Sequence, residues 1–306
     1  MLQSTVCRYE HFLAPWYAKW TKLLGFPTPV TLENNFSYRK IWEWCAIMQA
    51  LDERGMLRAG KRGIGFAVGN EALPSIFAAH GVEVVATDLP SEQSDGSWEK
   101  GNQHASHLES IFQANHVAEA DFVRLVSFQP TNMMDLSALP DSSFDFAWSS
   151  CAMEHLGSLE AGLDFARNVM RILKPGGIAV HTTEYNCSSN DATMTEGWSV
   201  IYREQDLRAL DRSLRPMQCG LEAFDFDAGT HDYDLGYDPE PHFESANRHI
   251  KLQFGPFVAT SFLMIARKSG SYSMGAISDL GFSSSQSSIA DSVLSVVADE
   301  SVEVGQ

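Results

Sequence analysis

Between Arg62 and Thr182 the chain alternates short apolar runs with apolar residues at helical spacing, and this alternation restricts the fold more than any other feature. Val82 to Thr87 is a near-continuous β-branched run, the pattern of a parallel strand buried on both faces. Strands are also expected at Ile64 to Val68, Phe122 to Phe128, Phe144 to Ser149 and Ile178 to Thr182. A helix from Leu73 to His80 stops at Gly81. Another carries Leu163, Ala166, Val169, Met170 and Leu173 and ends in Lys174-Pro175-Gly176-Gly177, where proline cannot continue it and glycine can turn the chain. Strands alternating with helices in this way imply an α/β, doubly wound sheet. His249 to Phe254 and Phe257 to Ala266 flank Gly255-Pro256 and read as a closing antiparallel hairpin.

Ahead of this region the pattern is helical. From Tyr38 to Leu51 the residues Ile41, Trp44, Cys45, Met48 and Leu51 fall on one helix face, and Gly55 supplies a stop. Phe12, Trp16, Tyr17 and Trp20 form an aromatic cluster broken by Pro15, Pro27 and Pro29. The expected division is a helical layer or cap over residues 1–57, an α/β domain over 58–268, and a Ser- and Gly-rich tail over 269–306. That tail contains no Lys or Arg and reads as disordered.

Charge narrows the partners. Lys and Arg number 22 against 39 Asp and Glu, a formal net charge of -17. Binding to nucleic acid draws on counterion release by cations, so no nucleic-acid partner is expected, and anionic membrane surfaces are disfavoured for the same reason. No apolar run reaches the roughly 18 residues a membrane helix needs, and Met1 to Glu10 lacks a basic and then apolar leader pattern. Cys7, Cys45, Cys151, Cys187 and Cys219 form no CxxC pair, which points to reduced thiols in a cytoplasmic protein without a metal site.

The ends of the expected strands carry the chemistry, because ligands of an open α/β sheet bind where the strand order reverses. Ala67-Val68-Gly69-Asn70-Glu71 joins the first strand to its helix, and its small residues let a ligand approach the backbone. Asp88 stands nineteen positions after Gly69, at the end of the second strand, where a carboxylate can accept hydrogen bonds from ribose hydroxyls. Asp135, in Asn132-Met133-Met134-Asp135, follows the third strand, where a carboxylate can accept from an adenine amino group.

The runs IGFAVGNEALPSIFAAHGVEVVATDLP (64–90), DLSALPDSSFDFAWSSCAMEHL (135–156) and RILKPGGIAV (171–180) resemble class I methyltransferases of the methyltransferase domain 11 type. The resemblance implies S-adenosylmethionine as cofactor and a Rossmann-like seven-stranded sheet with an antiparallel last strand. It makes Gly69 the cofactor-loop glycine, Asp88 the ribose acid and Asp135 the adenine-side acid. Leu89 and Met134 would pack on the adenine, and Ser150 and Cys151 would line the methionine end. Three positions depart from the pattern: Gly65 replaces the acid of the first strand, and Ala67 and Glu71 replace the first and third loop glycines. Glu71 would face the cofactor's cationic groups or cap the following helix.

Methyl transfer from a sulfonium needs alignment more than acid–base chemistry, but a base assists a hydroxyl acceptor. Glu154 and His155 follow the fourth strand and Glu184 the fifth. His155 is the expected acceptor-side base, with Glu184 orienting it or binding substrate; the alternative is that Glu154-His155 caps a helix and only shapes the pocket. Gly229 to His242, dense in Asp, His and Tyr, reads as a solvated acidic loop or a substrate-facing lid. Trp98 and Gln103-His104 line the same pocket or lie on the surface. The acceptor expected is a small molecule or glycan hydroxyl, with an amine possible. A non-catalytic scaffold of the same fold and an NAD-dependent oxidoreductase stay open as alternatives, although the loop lacks the GxGxxG the latter needs. Asp88→Ala is expected to weaken cofactor binding about tenfold or more and to leave the fold intact.

Overall fold

The computed structural model describes residues 1–26, 39–94, 96–100, 103–242 and 250–270. Its strands are β1 Ser4–Val6, β2 Arg62–Phe66, β3 Glu83–Ala86, β4 Val126–Phe128, β5 Phe144–Ser150, β6 Leu173–Asn186, β7 Cys219–Leu221, β8 Phe224–Asp225, β9 Leu252–Phe254 and β10 Phe257–Lys268. The α-helices are α1 Tyr9–Phe12, α2 Pro15–Leu23, α3 Arg39–Glu53, α4 Leu73–Ala79, α5 Ser97–Lys100, α6 Glu119–Leu125, α7 Leu159–Ile172, α8 Glu204–Leu214 and α9 Asp232–Leu235.

All these strands join one sheet in the order β4-β3-β2-β5-β6-β10-β1-β8, with β7 and β9 also paired to β10. The run from β4 to β6 is parallel. β10 lies antiparallel to β6 from Ala259↔Asn186 to Arg267↔Ile178, so the Rossmann-like sheet with a reversed long last strand is present. The chain leaves β2 toward β3 and β4, then returns to place β5 and β6 on the other side of β2. That reversal opens a crevice at the strand ends between β2 and β5.

Two apolar layers cover the sheet. On β10, Leu263 and Ile265 enter the layer containing α3 and α4, while Phe262 and Met264 enter the layer containing α7 and α8. This is the two-residue period of a strand buried on both faces. On β2 the period is broken by size. Gly63 and Gly65 share a face, and Phe146 and Trp148 of β5 lie over them; a Cβ at Gly63 would meet the Phe146 ring at 2.3 Å and one at Gly65 the Trp148 ring at 2.2 Å.

Three local expectations change. Phe122 to Leu125 belongs to α6, and only Val126–Phe128 is strand. Phe122 is buried while Val123 is 62% exposed, and a short apolar run cannot by itself distinguish the two periods. The amino-terminal stretch is not helical throughout: β1 pairs with β10 through Thr5↔Leu263 and covers its far edge. α3 is buried on more than one face, since Trp42, Glu43, Ala46 and Ile47 join Ile41, Cys45, Met48 and Leu51 inside. It lies between α2 and strands β5, β6 and β10. The hairpin of β9 and β10 forms around Gly255-Pro256, whereas His249, Pro27, Pro29, Tyr38 and residues 271–306 lie outside the described residues.

Gly65→Ala should lower the free energy of unfolding by about 1–3 kcal/mol through overpacking. In a Trp148→Leu background the same substitution should cost less than half as much, as measured by urea denaturation of the four proteins.

Candidate functional site

A cavity of about 370 Å³ occupies the crevice, within the range of small-molecule sites. Ala67, Gly69, Glu71, Asp88, Leu89, Ser150 and His155 all line it, so most of the residues singled out in the sequence converge there. Ala67 and Gly69 both adopt the left-handed conformation, at φ 50° and 51°. Ala67 therefore keeps the turn that a glycine would make, at a modest steric cost. A Cβ at Gly69 would sit 2.6 Å from the Gln103 carbonyl oxygen, so the loop following α5 closes directly over this turn.

Asp88 is buried, and three backbone N–H groups donate to it. Oδ2 accepts from Gly69 at 3.0 Å and from Ala105 at 3.0 Å, and Oδ1 accepts from Leu89 at 2.8 Å. Burial raises its pKa in spite of these bonds. A carboxylate offers about four acceptor positions, so one remains on Oδ1. The carboxylate also ties the β2 loop to the loop after α5. Asp88→Ala would leave three buried donors without an acceptor, each costing about 1–3 kcal/mol. Asp88→Ala should therefore lower folding stability as well as ligand affinity.

Glu71 does not cap α4, whose N-cap is Ala72. Its Oε1 accepts the Trp148 indole N–H at 2.7 Å. Burial pushes the carboxyl up to about 7, against the lowering effects of Trp148 and Lys40. The loop after β4 differs from expectation. Met134 is 61% exposed, and Asp135 is an exposed carboxylate accepting from Ser137 N–H at 3.0 Å. Neither lines the cavity; Thr131, Asn132 and Met133 do so in their place. Asp135 makes an Asx turn, which favours the same residue type at the same kind of position.

A second cavity of about 810 Å³ adjoins the first, and the two share Lys40, Trp98, Gln103, Cys151 and His155. Its wall includes Glu154, Glu184, Met194, Trp198, Ser199 and Phe254, together with Glu240 and His242 from the end of the acidic loop. The start of that loop instead docks on the amino terminus. His231 stacks on Tyr9 with ring centroids 3.8 Å apart, and Asp234 accepts the Tyr9 N–H at 2.7 Å.

His155 lies at the shared wall between Trp98 and Trp198, with ring centroids 4.8 Å and 5.1 Å away. Its Nδ1 is 2.7 Å from the Trp198 carbonyl oxygen. A carbonyl only accepts, so Nδ1 carries a proton, and in the neutral ring the lone pair is on Nε2. Glu184 is not the group that orients this ring, since Arg39 holds both of its carboxylate oxygens. Glu154 is fully buried, accepts from the Thr183 hydroxyl at 3.0 Å, and has its pKa raised by burial and by the nearby Glu184 charge. Ligating atoms of Cys151, Glu154 and Glu184 lie within 4.8 Å of one another. Burial raises the Cys151 thiol well above its ordinary value, and Arg39 already neutralises Glu184, which disfavours a divalent cation.

The residues the sequence did not reveal come from α3. Arg39, Lys40, Glu43 and Trp44 line one or both cavities. Glu43 is fully enclosed, accepting from Ser150 Oγ at 3.1 Å, Cys151 Sγ at 3.0 Å and Ser261 Oγ at 2.5 Å, with Lys40 Nζ at 3.2 Å. Burial would raise its pKa, but Lys40 and Arg39 hold it below the usual carboxylate range. The available signal was a glutamate beside the apolar stripe of an otherwise buried helix.

The family model described as a methyltransferase domain matches residues 64–181. The chain carries a class I methyltransferase domain. The matched residues are those of a methyltransferase enzyme, for which the sequence resemblance implies S-adenosylmethionine as the methyl donor. Among solved structures, the chain is similar to the cyclase SpnF, at 16% identity over 89% of this chain and 100% of that one, with a TM-score of 0.49. It is also similar to an S-adenosylmethionine-dependent methyltransferase of Mesorhizobium loti, at 16% identity over 72% and 96%, TM-score 0.43. The YcgJ protein of Bacillus subtilis gives 15% identity over 74% and 98%, TM-score 0.44. No curated protein matches the sequence. No helix among the described residues is long and apolar enough to cross a membrane.

The raised Glu71 carboxyl has a consequence for stability. Its folded pKa of about 7 exceeds the 4.5 of an ordinary glutamate, so the stability it contributes is full below about pH 4.5 and is lost as pH rises through 7. Glu71→Gln should therefore make the cofactor-free methyltransferase more stable at pH 8, by up to about 3 kcal/mol. The gap should close by pH 4.5 in denaturation curves taken across this range.

Proposed function

We propose that this methyltransferase moves a methyl group to a hydroxyl of a small molecule or sugar, with amines as a second acceptor class, in the reducing cytoplasm where its cysteines stay as thiols. The observation that carries this reading is the pair of adjoining cavities with His155 at their common wall. The first cavity suits the cofactor: Gly69 and Ala67 give a close backbone approach, Asp88 retains an acceptor for ribose, and Leu89 and Met133 offer apolar contact. When bound, the cofactor supplies a methyl group already activated on a sulfonium. The protein's part is then to align the acceptor and receive its proton.

The second cavity supports a polar, uncharged or cationic acceptor. Trp98, Trp198 and Phe254 provide flat apolar faces, and Ser199, Glu154, Glu184 and Glu240 provide hydrogen-bonding groups. Its carboxyl groups on Glu43, Glu154, Glu184 and Glu240 outnumber the cations Arg39 and Lys40, which disfavours a phosphate or carboxylate acceptor. His155 Nε2 takes the acceptor proton, while the Trp198 carbonyl fixes the tautomer.

His155→Ala should lower turnover by roughly two to four orders of magnitude and leave affinity for S-adenosylhomocysteine largely intact. His155→Gln should be nearly as poor. Cofactor turnover across a panel of sugars, phenols and amines supplies the substrate and the assay. Methylation by either variant at close to the wild-type rate above pH 8 would remove His155 from the chemistry.

A further inference from the structure

The family match begins at residue 64, yet the cofactor cavity has a wall from outside that segment, formed by Lys40 and Trp44 of α3. Charge accounting gives that wall a task. With S-adenosylmethionine as donor, the amino-acid end brings one α-carboxylate and one α-ammonium into the cavity. Among the described lining residues, Lys40 is the only Lys or Arg, and Glu71 and Asp88 are the only carboxylates. Asp88 already accepts three backbone N–H groups. Glu71 uses Oε1 for the Trp148 indole and is also approached by the Trp44 indole, which leaves its roughly four acceptor positions only partly used.

Lys40 is similarly half-committed. Its ammonium has three donors; one goes to the Ser150 carbonyl at 2.8 Å and one to Glu43 Oε2 at 3.2 Å, which leaves the third. The placement also fits. Lys40 stands over Ser150 at the end of β5, and Glu71 follows the end of β2; these strands are paired, with Phe66 opposite Ser149. The usual strand-one acid could not stand at position 65, because even a Cβ there would enter the Trp148 ring. The carboxylate arrives instead from the loop, on the N–H of the same indole.

We propose that Lys40 and Glu71 form a clamp for the amino-acid end of the cofactor, Lys40 binding the α-carboxylate and Glu71 the α-ammonium. The N-terminal segment thereby completes the cofactor site. Both residues bind and position the ligand without touching the transferred methyl.

Calorimetry with three ligands tests the clamp on the intact chain: S-adenosylhomocysteine, its decarboxylated analogue, and 5′-methylthioadenosine, which lacks the amino-acid end. Wild-type protein should bind S-adenosylhomocysteine at least about tenfold more tightly than methylthioadenosine, the size of a charge-assisted contact. Lys40→Met should weaken S-adenosylhomocysteine about tenfold or more and leave the decarboxylated analogue and methylthioadenosine within about threefold. Glu71→Gln should weaken both amine-bearing ligands and spare methylthioadenosine. Unchanged methylthioadenosine binding certifies that each variant is folded. Equal losses across all three ligands, or no loss for S-adenosylhomocysteine, would overturn the clamp. Should a variant fail to fold, the wild-type series decides alone, and a preference for S-adenosylhomocysteine under about threefold overturns it. A wild-type protein that binds none of the three would instead count against the cofactor itself.

Discussion

The indole of Trp148 sets the terms for the whole cofactor crevice. It packs against Gly65, a position where no side chain fits, and its N–H needs an acceptor because it is fully buried. Glu71 supplies that acceptor and is itself drawn out of water, which raises its pKa to about 7. One large ring on β5 thus accounts for three departures at once: the missing acid on β2, the unusual carboxylate in the loop, and that carboxylate's weakened acidity. The apolar packing and the polar site are coupled through a single hydrogen bond. Phe77, stacked edge-on against Trp148 at 4.9 Å, anchors the ring from the α4 side.

A second coupling runs through α3. Glu43 gathers hydrogen bonds from β5, from the turn after it and from β10, while Lys40 and Arg39 on the same helix neutralise the charge. Removing one partner from such a buried network costs more than the network contributes over an apolar substitute, because the survivors are left unpaired. α3 is therefore fixed in register against the strand ends, and its first turn is delivered to both cavities. The strand β1 ahead of it secures the far side of β10. The segment before the methyltransferase domain is structural and site-forming together.

The legible part of the site was its backbone frame. Gly69 and Asp88 were found because a turn after one strand and an acid after the next must fall in one crevice once the strands are parallel neighbours. His155 followed from the same logic applied to β5, and Ser150 from the family resemblance. Asp135 and Met134 were misplaced because an acid after a strand serves equally well as an Asx-turn residue. The pairing of His155 with Glu184 likewise assumed that neighbouring strand ends place side chains in contact. Arg39, far away in sequence, had already claimed that carboxylate.

The sequence by itself determined the alternation of strands and helices, the parallel sheet and the turns at the strand ends, and its resemblance to class I methyltransferases implied the antiparallel last strand. The alternation and the turns rest on local periodicity, which needs no knowledge of distant partners. Only the tertiary structure decided which charges meet: Glu43 with Lys40, Arg39 with Glu184, Glu71 with Trp148, and Asp88 with the loop at Ala105. The reason is physical. A polar side chain taken out of water must find its partner wherever the fold brings one, and hydrophobic spacing along the chain carries no record of that choice.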